Sequence, residues 1–141
     1  MVRSSSTLTA SSDTIQNNGA FGILVDQGSV LRSFDLTISG NSADGVRAEQ
    51  ASSTSFEQLA GGNVIVGNGG NGVSIGDLSF AQFNDTNNVS GNLGQPDVAC
   101  YPQYSATRGA GTVGGTTNCV EPPRNQHLLP QAKADGLPDR P

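Results

Sequence analysis

Three short runs of alternating side chains punctuate the first half of the sequence. Ile23 and Val25, Val46 and Ala48, and Val73 and Ile75 stand one and three positions past Gly22, Gly45 and Gly72, with Leu24, Arg47 and Ser74 between them. Period-two alternation over so few residues predicts short strands with one buried face, the three intervening side chains pointing outward. A second apolar set lies upstream: Ile15, Ile38, Ile65 and Val89 each precede an Asn by three residues, at Asn18, Asn41, Asn68 and Asn92. These four Asn are 23, 27 and 24 residues apart, so one phrase repeats with a nearly fixed period. Phe34, Phe56 and Phe80 recur at spacings of 22 and 24 and predict an aromatic column inside the core.

A repeat of this length dictates architecture before any single element is assigned. Helical repeats need amphipathic runs of period 3.6 and good helix formers, whereas this chain offers Gly, Asn, Ser, Thr and β-branched residues. A leucine-rich repeat would show LxxLxLxxN, and Leu is scarce here. What remains is an all-β coil of short parallel strands, one repeat per turn. In such a coil an Asn suits the bend between strands, where its amide bonds the next turn and where left-handed backbone is tolerated. Asn18, Asn41, Asn68 and Asn92 are therefore expected to stack as a structural ladder. The glycines are expected to admit tight corners.

The recurring pattern I/V-x-x-N-x-x-x-G-I/V resembles the repeat of the right-handed, single-stranded parallel β-helix in the pectate-lyase-like superfamily. The resemblance implies about four turns over residues 1–95. Residues 96–120 resemble the C-terminal closing coil and cap of secreted bacterial members, and the Pro-rich residues 121–141 are expected to form an extended or disordered tail. In the fourth repeat Asn92 is followed by LGQPDVAC instead of a Gly and a strand. Enzymes of this superfamily bind polysaccharide along an outer face of the coil, so outward residues on stacked strands become the candidates for chemistry. Asp26 and Glu49 each lie four past their repeat Gly and are expected one above the other, about 5 Å apart. A retaining glycosidase uses two carboxylates at about that separation. Arg47 shares their face, and in the lyases an Arg removes the proton beside the uronate carboxylate while acidic residues hold calcium. Calcium is thus implied only under the lyase reading. The competing reading is an ordinary solvated face on which Arg47 and Glu49 neutralise each other.

Composition narrows the remaining classes. With 34% hydrophobic residues, 19 Gly, 13% charged residues and a net charge of −5, the chain is a turn-rich β protein and not a charge-driven coil. Seven Lys and Arg without a cluster exclude a nucleic-acid partner, and no apolar run approaches the roughly 20 residues of a spanning helix, so no membrane partner is expected. The single His127 leaves no zinc shell, and GxSxG is missing. Cys100 and Cys119 would form one disulfide in an oxidising compartment and stay thiols in a reducing one. The opening MVRSSSTLTASSDT lacks the apolar centre of a secretory signal, which favours a piece of a longer extracellular or cell-surface protein.

Two function classes follow. The first is a scaffold or polysaccharide-binding module without resident cofactor, the C-terminal part of a larger secreted protein. The second is a polysaccharide lyase or glycoside hydrolase using Asp26, Glu49 and Arg47. A homo-oligomer joined through the N-terminal turn is also expected, since SSSTLTASSDTI leaves Leu8 and Ile15 without a covering helix.

Overall fold

The computed structural model describes residues 1–84, 86–101, 106–108 and 112–119. The predicted tail, residues 121–141, lies outside them. Fourteen short strands follow one another without a helix among the described residues. They are β1 (Thr7–Ser11), β2 (Thr14–Gln16), β3 (Ile23–Val25), β4 (Val30–Phe34), β5 (Thr37–Ser39), β6 (Val46–Ala48) and β7 (Ser53–Glu57), then β8 (Val64–Val66), β9 (Val73–Ile75), β10 (Phe80–Phe83), β11 (Thr86–Ser90), β12 (Val98–Cys100), β13 (Ala106–Arg108) and β14 (Thr112–Val113). Every third strand joins the same sheet, giving β1-β4-β7-β10-β13, β2-β5-β8-β11-β14 and β3-β6-β9-β12, all paired in parallel. The result is a three-sided β-solenoid of about four turns. Strands β12, β13 and β14 each add to one sheet and extend the stack.

The interior is a set of vertical columns set by register. Ile15, Ile38, Ile65 and Val89 form one, and Ile23, Val46, Val73 and Val98 another. The latter three of the first and all four of the second are buried. The aromatic column differs from expectation. Phe56 stacks on Phe83 with centroids 4.7 Å apart, whereas Phe34 pairs in register with Glu57 and Phe80 with Ser53. Phe34 and Phe80 therefore lie on the outward rows of their strands, and both are only half-buried. The spacings of 22 and 24 miss the true register offsets of 23 and 27, and an odd slip turns a side chain to the other face.

The four Asn form a continuous ladder. The backbone N–H and Nδ2 of Asn18 donate to Oδ1 of Asn41 (3.1 and 2.8 Å), those of Asn41 to Asn68 (3.1 and 2.8 Å), and those of Asn68 to Asn92 (3.0 and 2.9 Å). The second Nδ2 proton of Asn41, Asn68 and Asn92 goes to the carbonyl of Ile15, Ile38 and Ile65. Left-handed backbone falls not on these Asn but on the residue before each: Asn17, Gly40, Gly67 and Gly91 have φ between 57° and 65°.

The repeat glycines serve space, not φ. A Cβ on Gly22 would lie 2.5 Å from the carbonyl of Gly45 and 2.9 Å from Nδ2 of Asn41. Each glycine thus makes room for the next coil's Asn. In the closing coil Asp97 takes the glycine position, since the N–H of Val73 bonds its carbonyl as Val46 bonds Gly72. With no further Asn to accommodate, its side chain fills the ladder site itself, Oδ1 accepting from the backbone N–H and Nδ2 of Asn92 (3.1 and 3.2 Å). The unexpected LGQPDVAC is therefore the ladder's terminus. Asp97 Oδ2 accepts from the backbone N–H and hydroxyl of Thr116, and the Cys100–Cys119 disulfide pins this last pass onto β12.

Candidate functional site

The polar cluster nearest to the expected strip sits on the outside of the β3-β6-β9-β12 sheet. Alternation in β6 turns Arg47 outward between buried Val46 and Ala48, and Glu49 follows two residues later on the same side. The Arg47 Nε donates to Glu49 Oε2 at 2.8 Å, its Nη1 stands 3.8 Å from Asp44 Oδ2, and its guanidinium lies 5.5 Å over the Phe21 ring. Burial would lower the Arg47 pKa, but the hydrogen bond and charge of Glu49, together with Asp44 and Tyr101, outweigh it and raise the value. Arg47 is thus held as a cation between Glu49 and Asp44.

Asp26 and Glu49 occupy adjacent coils, as their spacing predicted: the N–H of Glu49 bonds the carbonyl of Val25. The expected outward exposure of Asp26 is corrected. Its side chain is 2% exposed, and Arg3 covers it with Nε 3.0 Å from Oδ2. The reason is a coil fragment with no repeat signature: Val2 bridges Val25, which places Arg3 directly beside Asp26. The structure therefore joins Arg47 to Glu49 and gives Asp26 a different partner.

Further polar residues complete the cluster. Asp44 is buried, accepting from the N–H of Asn71 (2.8 Å) and the hydroxyl of Ser74 (2.7 Å), and the Tyr101 hydroxyl donates to Asn71 Oδ1 (3.0 Å). Position in the phrase was the available clue, because Asp44 and Asn71 immediately precede Gly45 and Gly72. Between Arg47, Glu49, Ser74 and Tyr101 lies a pocket of about 70 Å³.

Calcium takes six to eight oxygen ligands, often from several carboxylates. Asp26 is committed to Arg3 and Glu49 to Arg47, and no three His, Cys, Asp or Glu converge among the described residues, so this set does not fit the ion.

The outward face of the β1-β4-β7-β10-β13 sheet is different in character. One row presents Thr9, Arg32, Ser55 and Gln82, and its neighbour Ser11, Phe34, Glu57 and Asn84. Arg32 lies 5.2 Å over the Phe34 ring and forks onto both Glu57 oxygens at 3.1 and 3.2 Å. The Ser55 hydroxyl also donates to Glu57, at 2.7 Å.

No family model, no curated protein and no solved structure matches the sequence.

Proposed function

We propose that the chain is a non-catalytic polysaccharide-binding module, a parallel β-helix of the pectate-lyase-like kind from the C-terminal part of a larger extracellular or cell-surface protein. The observation that carries this reading is the outward sheet face around Arg32, Phe34 and Glu57. Thr9, Arg32, Ser55 and Gln82 follow one another along the stack at about 4.8 Å, beside the half-buried Phe34 ring. An extended sugar chain offers hydroxyls that donate and accept, together with apolar ring faces, and these rows supply partners for both. The Cys100–Cys119 disulfide supports an oxidising compartment.

The enzymatic alternative, a lyase or hydrolase acting through Asp26, Arg47 and Glu49, has less support. Each of the three is paired with a neighbour of opposite charge, and Asp26 does not line the pocket beside Arg47 and Glu49.

Titration calorimetry with polygalacturonate and alginate, with and without calcium, tests the proposal. Saturable binding without release of unsaturated or reducing ends is expected, lost in Arg32→Ala and Phe34→Ala and kept in Glu49→Gln. Release of ends that disappears in Asp26→Asn or Glu49→Gln would establish the enzyme instead. No binding by either polymer would overturn the polysaccharide reading for these uronates.

A further inference from the structure

We infer that Asn88 is a modification site, the acceptor of an N-linked oligosaccharide. The inference rests on the extracellular placement proposed above and is independent of the sugar-binding face. Of all the Asn in the sequence, only Asn84 and Asn88 are followed two positions on by Ser or Thr without an intervening Pro. That is the acceptor signal for N-glycosylation in a secreted protein. Strand β11 turns Asn88 and Ser90 outward and buries Val89 between them. The Ser90 hydroxyl donates to Asn88 Oδ1 at 2.6 Å, so both halves of the signal stand side by side on the surface.

The atom that would carry the sugar is available. Asn88 is exposed, and its Nδ2 donates no hydrogen bond among the described residues, whereas Nδ2 of Asn41, Asn68 and Asn92 is spent inside the ladder. The surroundings leave room for a glycan. In the preceding coils Val64 and Val66, then Thr37 and Ser39, share the rows of Asn88 and Ser90, all of them short and uncharged. On the other side the next coil brings Gly114, where a Cβ would lie 3.3 Å from Asn88 Oδ1. Glycine there keeps the amide uncrowded.

Asn84 fits less well. It is half-buried, its Oδ1 accepts from Gln82 Nε2 at 2.9 Å, and it continues the outward row of Phe34 and Glu57. A glycan there would cover the face proposed to bind sugar. Asn88 belongs to the β2-β5-β8-β11-β14 sheet, another side of the solenoid, and leaves that face clear. The step needs an oligosaccharide carried on a lipid pyrophosphate as co-reactant. A bond forms between Asn88 Nδ2 and the anomeric carbon, and the bond from that carbon to the pyrophosphate oxygen breaks. The lipid pyrophosphate leaves with the electron pair, Nδ2 gives up one proton, and nothing is oxidised or reduced.

Secretion of the 141-residue chain from a eukaryotic cell behind a cleavable signal supplies the placement, so the result reports on Asn88 separately from where the native chain resides. Intact mass before and after peptide-N-glycosidase treatment should show one N-glycan per chain. Asn88→Gln and Ser90→Ala should each abolish it, while Ser90→Thr and Asn84→Gln should keep it. Should a variant fail to be exported, cell-free translation with microsomes gives the same reading before folding, as a glycosidase-sensitive shift on a gel. A chain that carries no glycan in either system would overturn the inference, as would a glycan that survives Asn88→Gln.

Discussion

Replacing Asn68 by Ala removes the middle of the ladder and leaves the strands on either side intact. Asn68 Oδ1 is the acceptor for two buried donors, the backbone N–H of Asn41 at 3.1 Å and its Nδ2 at 2.8 Å. Its own Nδ2 donates to Asn92 Oδ1 at 2.9 Å and the Ile38 carbonyl at 3.3 Å. A buried group left without a partner costs about 1–3 kcal/mol, so two orphaned donors amount to about 2–6 kcal/mol. That is a large part of the roughly 5–15 kcal/mol that holds a domain of this size. Asn18→Ala is the matched control. It also deletes a ladder amide, yet Asn41 Oδ1 still accepts the Asn18 backbone N–H at 3.1 Å, and Asn18 is exposed. A loss of under about 1 kcal/mol is expected there. Urea unfolding followed by circular dichroism measures both. Equal losses at the two positions would refute the reasoning, since burial and position in the stack would then not set the cost.

Gly45→Ala should cost about 1–3 kcal/mol in the same assay, because its Cβ would sit 2.6 Å from the Gly72 carbonyl and from Cγ2 of Ile65; an unchanged midpoint would contradict the spacing role. Thr54 holds the one buried side-chain oxygen without a partner among the described residues, so Thr54→Val should stabilise by about 1 kcal/mol, and a loss instead would reveal a bound water. Asp35 and Asp97 both titrate below the ordinary 3.8. Burial alone would raise both values, but the N–H groups of residues 59–62 at Asp35, and Asn92 and Thr116 at Asp97, outweigh it. A depressed folded value means stability that is complete above the unfolded pKa and is lost as pH falls through the folded one, so unfolding free energy should decline below about pH 5; Asp97→Asn should flatten that decline, and an unaltered slope would refute it. Reduction of Cys100–Cys119 should lower stability by about 2–4 kcal/mol, measured with and without reductant, and no change would mean that the closing pass is held by hydrogen bonds alone.

The fold was legible because its determinants recur. Asn18, Asn41, Asn68 and Asn92 sit in the same bend of successive coils and announce the period directly. Features that do not recur were hidden. A second amide stack links Leu36, Asn63 and Asn87, but Asp13 and Leu36 hold its position in the earlier coils, so no pattern reached the sequence. Phe34, Phe56 and Phe80 showed the reverse hazard, a regular spacing without a shared column, because their spacings of 22 and 24 slip by one and three residues against register offsets of 23 and 27. At the candidate site Arg47 and Glu49 were readable from alternation along one strand. The burial of Asp26 was not, because Arg3 arrives from a partial coil that carries neither the Asn nor the Gly.

Side-chain amide hydrogen exchange, followed by ¹⁵N-resolved NMR, tests the stacked ladder most directly. The Nδ2 protons of Asn41, Asn68 and Asn92 are each shared between the next acceptor in the ladder and a carbonyl of the coil before, inside a buried stack, and should exchange slowly. Those of Asn18, exposed at the open end, should exchange faster than any of the three. Uniformly fast exchange at all four would contradict the ladder, and with it the register on which the sheets, the glycine positions and the Asp97 terminus depend.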